Sequence, residues 1–232
     1  MVSLKSPPTK EPRMTVLVSI VLVVLALTGC GAMRSTPDSP MSVGGLTPTI
    51  EDKEAGLVGL APNFDIKAYR VIGVALFPVT DKLEDEGDRK FAATMAAFFN
   101  TELVRRLRES GQFQRVVNLT EGGYKPVAGE KMLRLEGDIT RLGRGSRVAR
   151  YFAGIYGAGR ARAQADMRFV DASSGRVMMV TADRRIAQVA LFGGDDQDLL
   201  KESFDDMARD LTKFLQRLAR GEAPTKTATS DK

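Results

Sequence analysis

Side chains able to do chemistry are scarce in this chain, and what is missing narrows its work first. The sequence contains no histidine, no tryptophan and a single cysteine, Cys30. A Ser-His-Asp or Cys-His nucleophile is therefore excluded, and so is a metal cage of histidine and cysteine. The lack of tryptophan also argues against an aromatic platform for sugars. Catalysis would have to run on carboxylates, lysine, serine or tyrosine. Asp81, Glu84, Asp85, Glu86 and Asp88 form an acidic run ahead of a helical segment. Its spacing does not match the D-x-[DN]-x-[DN]-G calcium loop. Carboxylates there favour the positive end of the following helix, with Asp88 as its cap. Asp195, Asp196 and Asp198 stand in the same relation to a second helical segment. Glu136 and Asp166 could pair for sugar cleavage. Each lies on a strand among arginines, so ion pairing across a solvated face is the expected use. Gly154, Gly157 and Gly159 are spaced G-x-x-G-x-G before a strand, whereas a dinucleotide loop is G-x-G-x-x-G before a helix. No catalytic residue, cofactor, metal or nucleotide is expected.

Cys30 ends an apolar stretch, Met14 to Cys30, with Lys5, Lys10 and Arg13 ahead of it and Thr28 and Gly29 before the thiol. A basic start, a short apolar run and small residues at its end describe a secretory signal over residues 1–29. A membrane span needs about 20 apolar residues, more than Met14 to Leu27 provides. Leu27-Thr28-Gly29-Cys30 resembles the lipobox of bacterial lipoproteins. The resemblance implies cleavage before Cys30, a diacylglyceryl group on its sulfur and an acylated N-terminus, so that the lipid bilayer is a partner. Each buried methylene contributes about 0.8 kcal/mol, and two or more acyl chains hold stably. Gly31 follows Cys30 where an aspartate would favour the inner membrane. The lipobox resemblance thus implies a lipid-anchored, periplasm-facing protein of the outer membrane.

The formal charge of the whole chain is +5, of which Lys5, Lys10 and Arg13 against Glu11 supply +2 before Cys30. What remains is too mildly basic to argue for nucleic acid. The 203 residues from Cys30 to Lys232 suffice for one well-buried domain and a tether. With Cys30 lipidated, no disulfide within the chain is available to it.

Residues 30–68 read as a lipidated N-terminus and flexible tether, broken by Pro37, Pro40, Pro48 and Pro62 and lacking a hydrophobic period. Such a coil would reach roughly 30–40 Å from the membrane. Within it only Leu57 to Leu60 has the makings of a contact with the domain. Residues 69–221 read as a single α/β domain. Arg70 to Phe77 is a buried strand ended by Pro78, and Asp88 to Ser110 is a helix with Phe91, Met95, Phe98, Phe99, Leu103 and Leu107 at helical spacing. Phe113 to Leu119 is a strand parallel to the first. Lys131 to Leu142 alternates, with Leu133, Leu135 and Ile139 on one side and Arg134, Glu136, Asp138 and Thr140 on the other. Ala161, Ala163, Ala165, Met167 and Phe169 alternate with Arg160, Arg162, Gln164, Asp166 and Arg168. A turn at Asp171 to Gly175 returns the chain as Arg176 to Ile186. A second helix runs from Asp196 to Arg220, and residues 222–232 are a disordered tail. The expected fold class is α+β: a mixed sheet of about five strands with two long amphipathic helices packed on one face, and a charged opposite face.

The strand ending in proline, acidic loop, helix closing at glycine and strand over Arg70 to Val117 resemble the N-terminal domain of the TolB translocation protein and lipoproteins of the curli-secretion type. Leu135-Glu136-Gly137-Asp138-Ile139, Arg150-Tyr151-Phe152-Ala153-Gly154, Gly157-Ala158-Gly159 and Phe169 to Gly175 are similar to a bacterial lipoprotein family known as domain of unknown function 4410. That family name implies an exported lipoprotein and carries no activity.

The expected task is docking or assembly in the cell envelope, with an envelope protein as partner. A carboxylate-based hydrolase and a subunit of an oligomeric secretion pore are the alternatives. The expected contact element is Gly143 to Gly159, long for a connection between strands. Arg150, Tyr151, Phe152, Gly154, Ile155, Tyr156, Gly157 and Gly159 are its candidate residues, since aromatics with arginine are enriched at binding hot spots. The competing expectation is that its aromatics close over an open end of the core.

Overall fold

This computed structural model of the chain describes residues 33–125, 127, 129–143, 161–187 and 196–225. The alternating segments form the middle of the sheet. β6 (Met132–Gly143), β7 (Ala161–Asp171) and β8 (Val177–Ala187) are consecutive antiparallel neighbours. β4 (Val71–Val74) is buried along its whole length and runs parallel to both β5 (Arg115–Asn118) and β6. The helix between β4 and β5, α1 (Glu86–Glu109), makes the expected crossover, and α2 (Asp196–Ala219) lies beside it.

Both helices sit on one face, as the alternation requires. Leu133, Leu135, Ile139, Ala163, Ala165, Met167 and Phe169 are buried there. Phe99 on α1 stands 5.2 Å, centroid to centroid, from Phe77 and 4.9 Å from Phe204 on α2. Such buried side chains contribute about 1.5–3 kcal/mol each. Asn100 is the polar exception on α1, and its amide donates to the Ala75 carbonyl at 3.0 Å. The helix cap differs from expectation by one turn. Asp85, not Asp88, accepts from the backbone, taking the Asp88 N–H at 2.7 Å, while the Asp88 carboxylate takes the Glu84 N–H at 3.2 Å. This reciprocal pairing fixes the start of α1 at Glu86.

Among the described residues the sheet has eight strands rather than about five. The three others, β1 (Met33–Ser35), β2 (Ile50–Asp52) and β3 (Gly56–Leu60), come from the segment read as a tether. The order across the sheet is β2-β3-β8-β7-β6-β4-β5, and β1 also pairs with β8. β3 takes Met179 to Ala182 and β1 takes Arg184 to Ile186, so the two lie end to end along one edge of β8. These strands are three to five residues long and show no period. What recruits them is the unpaired edge of β8, whose N–H and C=O groups need partners.

The two tightest approaches in this sheet are at Gly56 and Gly137. Gly56 has φ +73°, and a Cβ there would lie 2.3 Å from the Ala182 carbonyl oxygen. At Gly137, opposite Met167, a Cβ would lie 2.1 Å from the Asp166 carbonyl oxygen. The turn between β7 and β8 is closed by Asp171. Its Oδ1 accepts the Ser173 and Ser174 N–H groups at 3.0 and 2.8 Å, and its Oδ2 accepts the Tyr69 hydroxyl at 2.9 Å. Burial first, and then this bond, push the Tyr69 hydroxyl up to about 12.

Candidate functional site

Cys30 and the whole set Arg150, Tyr151, Phe152, Gly154, Ile155, Tyr156, Gly157 and Gly159 lie outside the described residues, as do the signal 1–29 and residues 226–232. The structure gives the roots of the long connection: Gly143 ends β6 directly opposite Arg162 on β7. Arg162 is paired in turn with Ile186 on β8, and Ile186 with Met33 on β1. Four strands therefore bring Gly143, Arg162, Ile186 and Met33 to one end of the sheet.

The face turned away from the helices carries the carboxylates. Glu136 lies opposite Arg168 in the register, and its carboxylate accepts the Arg168 Nε at 2.8 Å and faces the Arg134 Nε at 2.5 Å. Asp138 lies 3.7 Å from Arg168. Burial opposes ionisation of Glu136, but the two arginines outweigh it and hold its carboxyl below the usual range. This is the ion-paired row that alternation predicts.

Asp166 departs from that expectation. It is buried, and among the described residues no arginine pairs with it. Its carboxylate accepts the Met41 N–H at 3.0 Å and the Gln164 Nε2 at 3.0 Å. Gln164 also clamps Asp38, donating to its carbonyl at 2.9 Å and accepting its N–H at 2.7 Å. Arg184 donates to the Asp38 carboxylate at 2.6 Å. Residues 38–41 thus cross the face that was expected to meet water. Burial first, with nearby Asp138 adding to it, raises the Asp166 carboxyl above the usual range. A raised acid on one strand diagonal to a lowered one on the next is the pattern of an acid–base pair. Here both are occupied, Glu136 by arginines and Asp166 by the backbone that covers it.

Sequence reasoning missed a second constellation, between α2 and the N-terminal arm (residues 33–60). Arg185 on β8, 4% exposed, donates to Asp183 at 2.8 Å and to Asp210 on α2 at 3.0 Å. Arg34 on β1 reaches the same Asp183 with two bonds of 3.0 Å and lies 3.5 Å from Asp210. Its guanidinium also donates to the Lys53 and Glu54 carbonyls. Farther along α2, Arg217 donates to Asp52 at 2.6 Å, to Glu54 at 2.6 Å and to the Thr225 hydroxyl at 2.8 Å. Thr225 returns its N–H to Asp52 and accepts the Lys53 N–H, each at 2.8 Å. Burial works against the Asp52 charge, yet Arg217 and three backbone N–H groups lower its carboxyl below the usual range. At Asp210, burial is likewise outweighed, chiefly by Arg185. Buried pairs of this kind add little net stability, but removing one partner costs about 3–5 kcal/mol. The seam therefore fixes where the arm docks more than it strengthens the core.

Among the described residues no group of three or more histidine, cysteine or acidic side chains could hold a metal ion. No helix among them is long and apolar enough to cross a membrane.

Solved structures with a similar arrangement include a PelC dodecamer from Paraburkholderia phytofirmans, 12% identical, covering 67% of this chain and 94% of that one with a TM-score of 0.42. A candidate lipoprotein from Caulobacter crescentus is 16% identical, with coverage of 68% and 95% and a TM-score of 0.34. A protein from Xanthomonas campestris is 11% identical, with coverage of 67% and 86% and a TM-score of 0.36. Likeness at this level carries no functional argument. No curated protein matches the chain. The family model described as Domain of unknown function (DUF4410) matches residues 69–190, from the 3-10 turn before β4 to the end of β8 and beyond. That match spans more than half of the chain, which therefore belongs to the DUF4410 family.

Proposed function

We propose that this chain is an exported lipoprotein, anchored through acylated Cys30 to the periplasmic face of the outer membrane. Its folded part serves as a non-enzymatic docking or assembly module of the cell envelope. The observation that carries the reading is the stretch Met14 to Gly31, a basic start and apolar run ending in Leu27-Thr28-Gly29-Cys30-Gly31. The finer kinship with TolB N-terminal and curli-secretion lipoprotein domains belongs to the same proposal, supported by the parallel β4–α1–β5 unit.

Against a hydrolase stand the engagements of Glu136 by Arg168 and Arg134 and of Asp166 by the Met41 N–H and Gln164. A pore subunit draws support from β6, β7 and β8, which are 12, 11 and 11 residues long. A membrane β-strand needs about 9–11. Their helix-facing sides are nevertheless occupied by core contacts, which accounts for their length without a membrane.

Cells fed a labelled fatty acid are expected to label the wild type and not Cys30→Ala. Equal labelling of both would sink the anchor. Crosslinking in live cells, with identification of the attached protein, is expected to return an envelope protein. Return of a small-molecule turnover activity instead, lost in a folded Glu136→Ala or Asp166→Ala variant, would replace docking with catalysis.

A further inference from the structure

A tether and an arm place the domain very differently. Three peptide steps separate Cys30 from Met33, where β1 begins. Consecutive Cα atoms are about 3.8 Å apart, so whatever path residues 31 and 32 take, Met33 lies within about 11 Å of Cys30. Met33 is already a paired strand residue, 59% exposed, at a corner of the sheet. It shares its end of the sheet with Ile186, Arg162 and Gly143. Adjacent strands are about 4.8 Å apart, so all four lie within about 15 Å of one another. The turn at Ser173 to Gly175 closes the other end of β7 and β8, about 30 Å away at 3.3 Å per residue.

Charges of both signs meet at this end, where Asp81 takes the Leu142 N–H at 2.8 Å and Lys82, Glu84 and Asp85 lead into α1. Arg162 is exposed at the Met33 end. Arg141 is half exposed there, donating to the Thr140 carbonyl at 2.8 Å, with Asp81 and Asp38 at 3.8 and 3.9 Å. Arg184 faces Asp38. Arginine is the side chain best suited to bidentate contact with phosphate.

The geometry points to the Met33–Ile186–Arg162–Gly143 end of the sheet as a membrane-docking surface, seated on the phosphate headgroups of the bilayer that holds Cys30. This rests on the lipoprotein reading and adds an orientation to it: strands β6, β7 and β8 stand on the bilayer with the Ser173–Gly175 turn farthest from it. Two other orientations are open to a domain held at one corner. It could lie on the β2–β3 edge, or hang free of the surface.

The single cysteine makes the test clean, because an acylated Cys30 leaves any introduced thiol as the one free thiol. Full-length acylated protein carrying Arg162→Cys, Thr49→Cys or Ser174→Cys is labelled with an environment-sensitive dye. It is then reconstituted in phosphatidylethanolamine–phosphatidylglycerol vesicles containing brominated lipid. The dye at position 162 is expected to lose most of its fluorescence, and those at 49 and 174 to keep theirs. Quenching at 49 or 174 equal to or above that at 162 overturns the orientation, and so does the absence of quenching at all three while the protein still floats with the vesicles. A wild-type chain that does not float, and whose Cys30 itself takes the dye, removes the lipoprotein reading and this inference together.

Discussion

The two faces of the sheet are covered by different means. On one side α1 and α2 lie on a continuous apolar layer in which Phe77, Phe99 and Phe204 meet ring to ring. On the other side and along the β8 edge, the N-terminal arm adds Ala55 and Val58 to that apolar layer and is otherwise held by backbone pairing and by charges: Gln164 and Asp166 on Asp38 and Met41, Arg34 on Asp183, and Arg217 on Asp52 and Glu54. Apolar burial is indifferent to direction and, to first order, to pH. Charged contacts are directional and conditional. The domain thus combines a core that sets whether it folds with an arm whose attachment can be altered separately.

The sharpest way to break that contrast is to damage each side in turn. Phe204→Ala removes a fully buried ring from the helix layer and is expected to cost about 3–5 kcal/mol, lowering the melting temperature of the whole domain. A loss confined to the arm would show that the layer is not the common core. Arg217→Ala leaves Asp52 buried without its partner and is expected to cost about 3 kcal/mol, near the lower end for a broken buried pair. Its signature is local. Amide exchange should accelerate across Gly56 to Leu60 while Leu133 to Ile139 stay protected. Uniform acceleration would mean that arm and core open as one.

Acid should separate the two regions without mutation. The carboxyls of Asp52 and Asp210 are lowered in the folded state. Their contribution is present above the unfolded value of about 4 and is lost as pH falls through the folded value. Asp166 is raised, so its sign is opposite. Burying it as an anion is unfavourable above its folded value, and that penalty disappears as pH falls below it. The seam should therefore loosen in acid while the contact at Met41 does not weaken. Exchange of β3 measured against pH, corrected for intrinsic rates, should rise before that of β6. Asp52→Asn should flatten the rise. Simultaneous loss of both would contradict the separation. The smallest effect is expected on the half-buried row, where Glu136→Ala should change stability by about 0.5–1 kcal/mol and move no exchange in the arm.

The same contrast explains what could be read in advance. Alternation places Ala163, Ala165, Met167 and Phe169 inward correctly, because period two is a property of the strand itself. It equally places Gln164 and Asp166 on the opposite face, but says nothing of what lies over them. Their cover, Asp38 to Met41, is about 125 residues away in the chain, beyond any local pattern. Apart from Leu57 to Leu60, read in advance as a contact and found in β3, the arm escaped notice for the same reason. β1 and β2 span three residues each, and Arg34 finds Asp183 across 149 positions. Cys30 could be proposed from the sequence because a signal is a local, linear pattern, whereas Arg185, Asp210 and Arg217 resembled ordinary surface charges until α2 was laid beside β8.

The order of pairing along the β8 edge also sets a schedule. β1 and β3 have no place in the sheet until β8 exists, and Arg217 and Thr225 must follow before Asp52 is satisfied. Contacts of such long sequence separation form late, because loop closure precedes any gain from them. On the proposed export, N-terminus first, the residues that emerge earliest are the last to settle. Met33 to Ser35 then stay unpaired until β8 arrives, which leaves the proposed lipidation at Cys30 free of the sheet. The completed fold then draws that strand into the sheet and closes the opportunity.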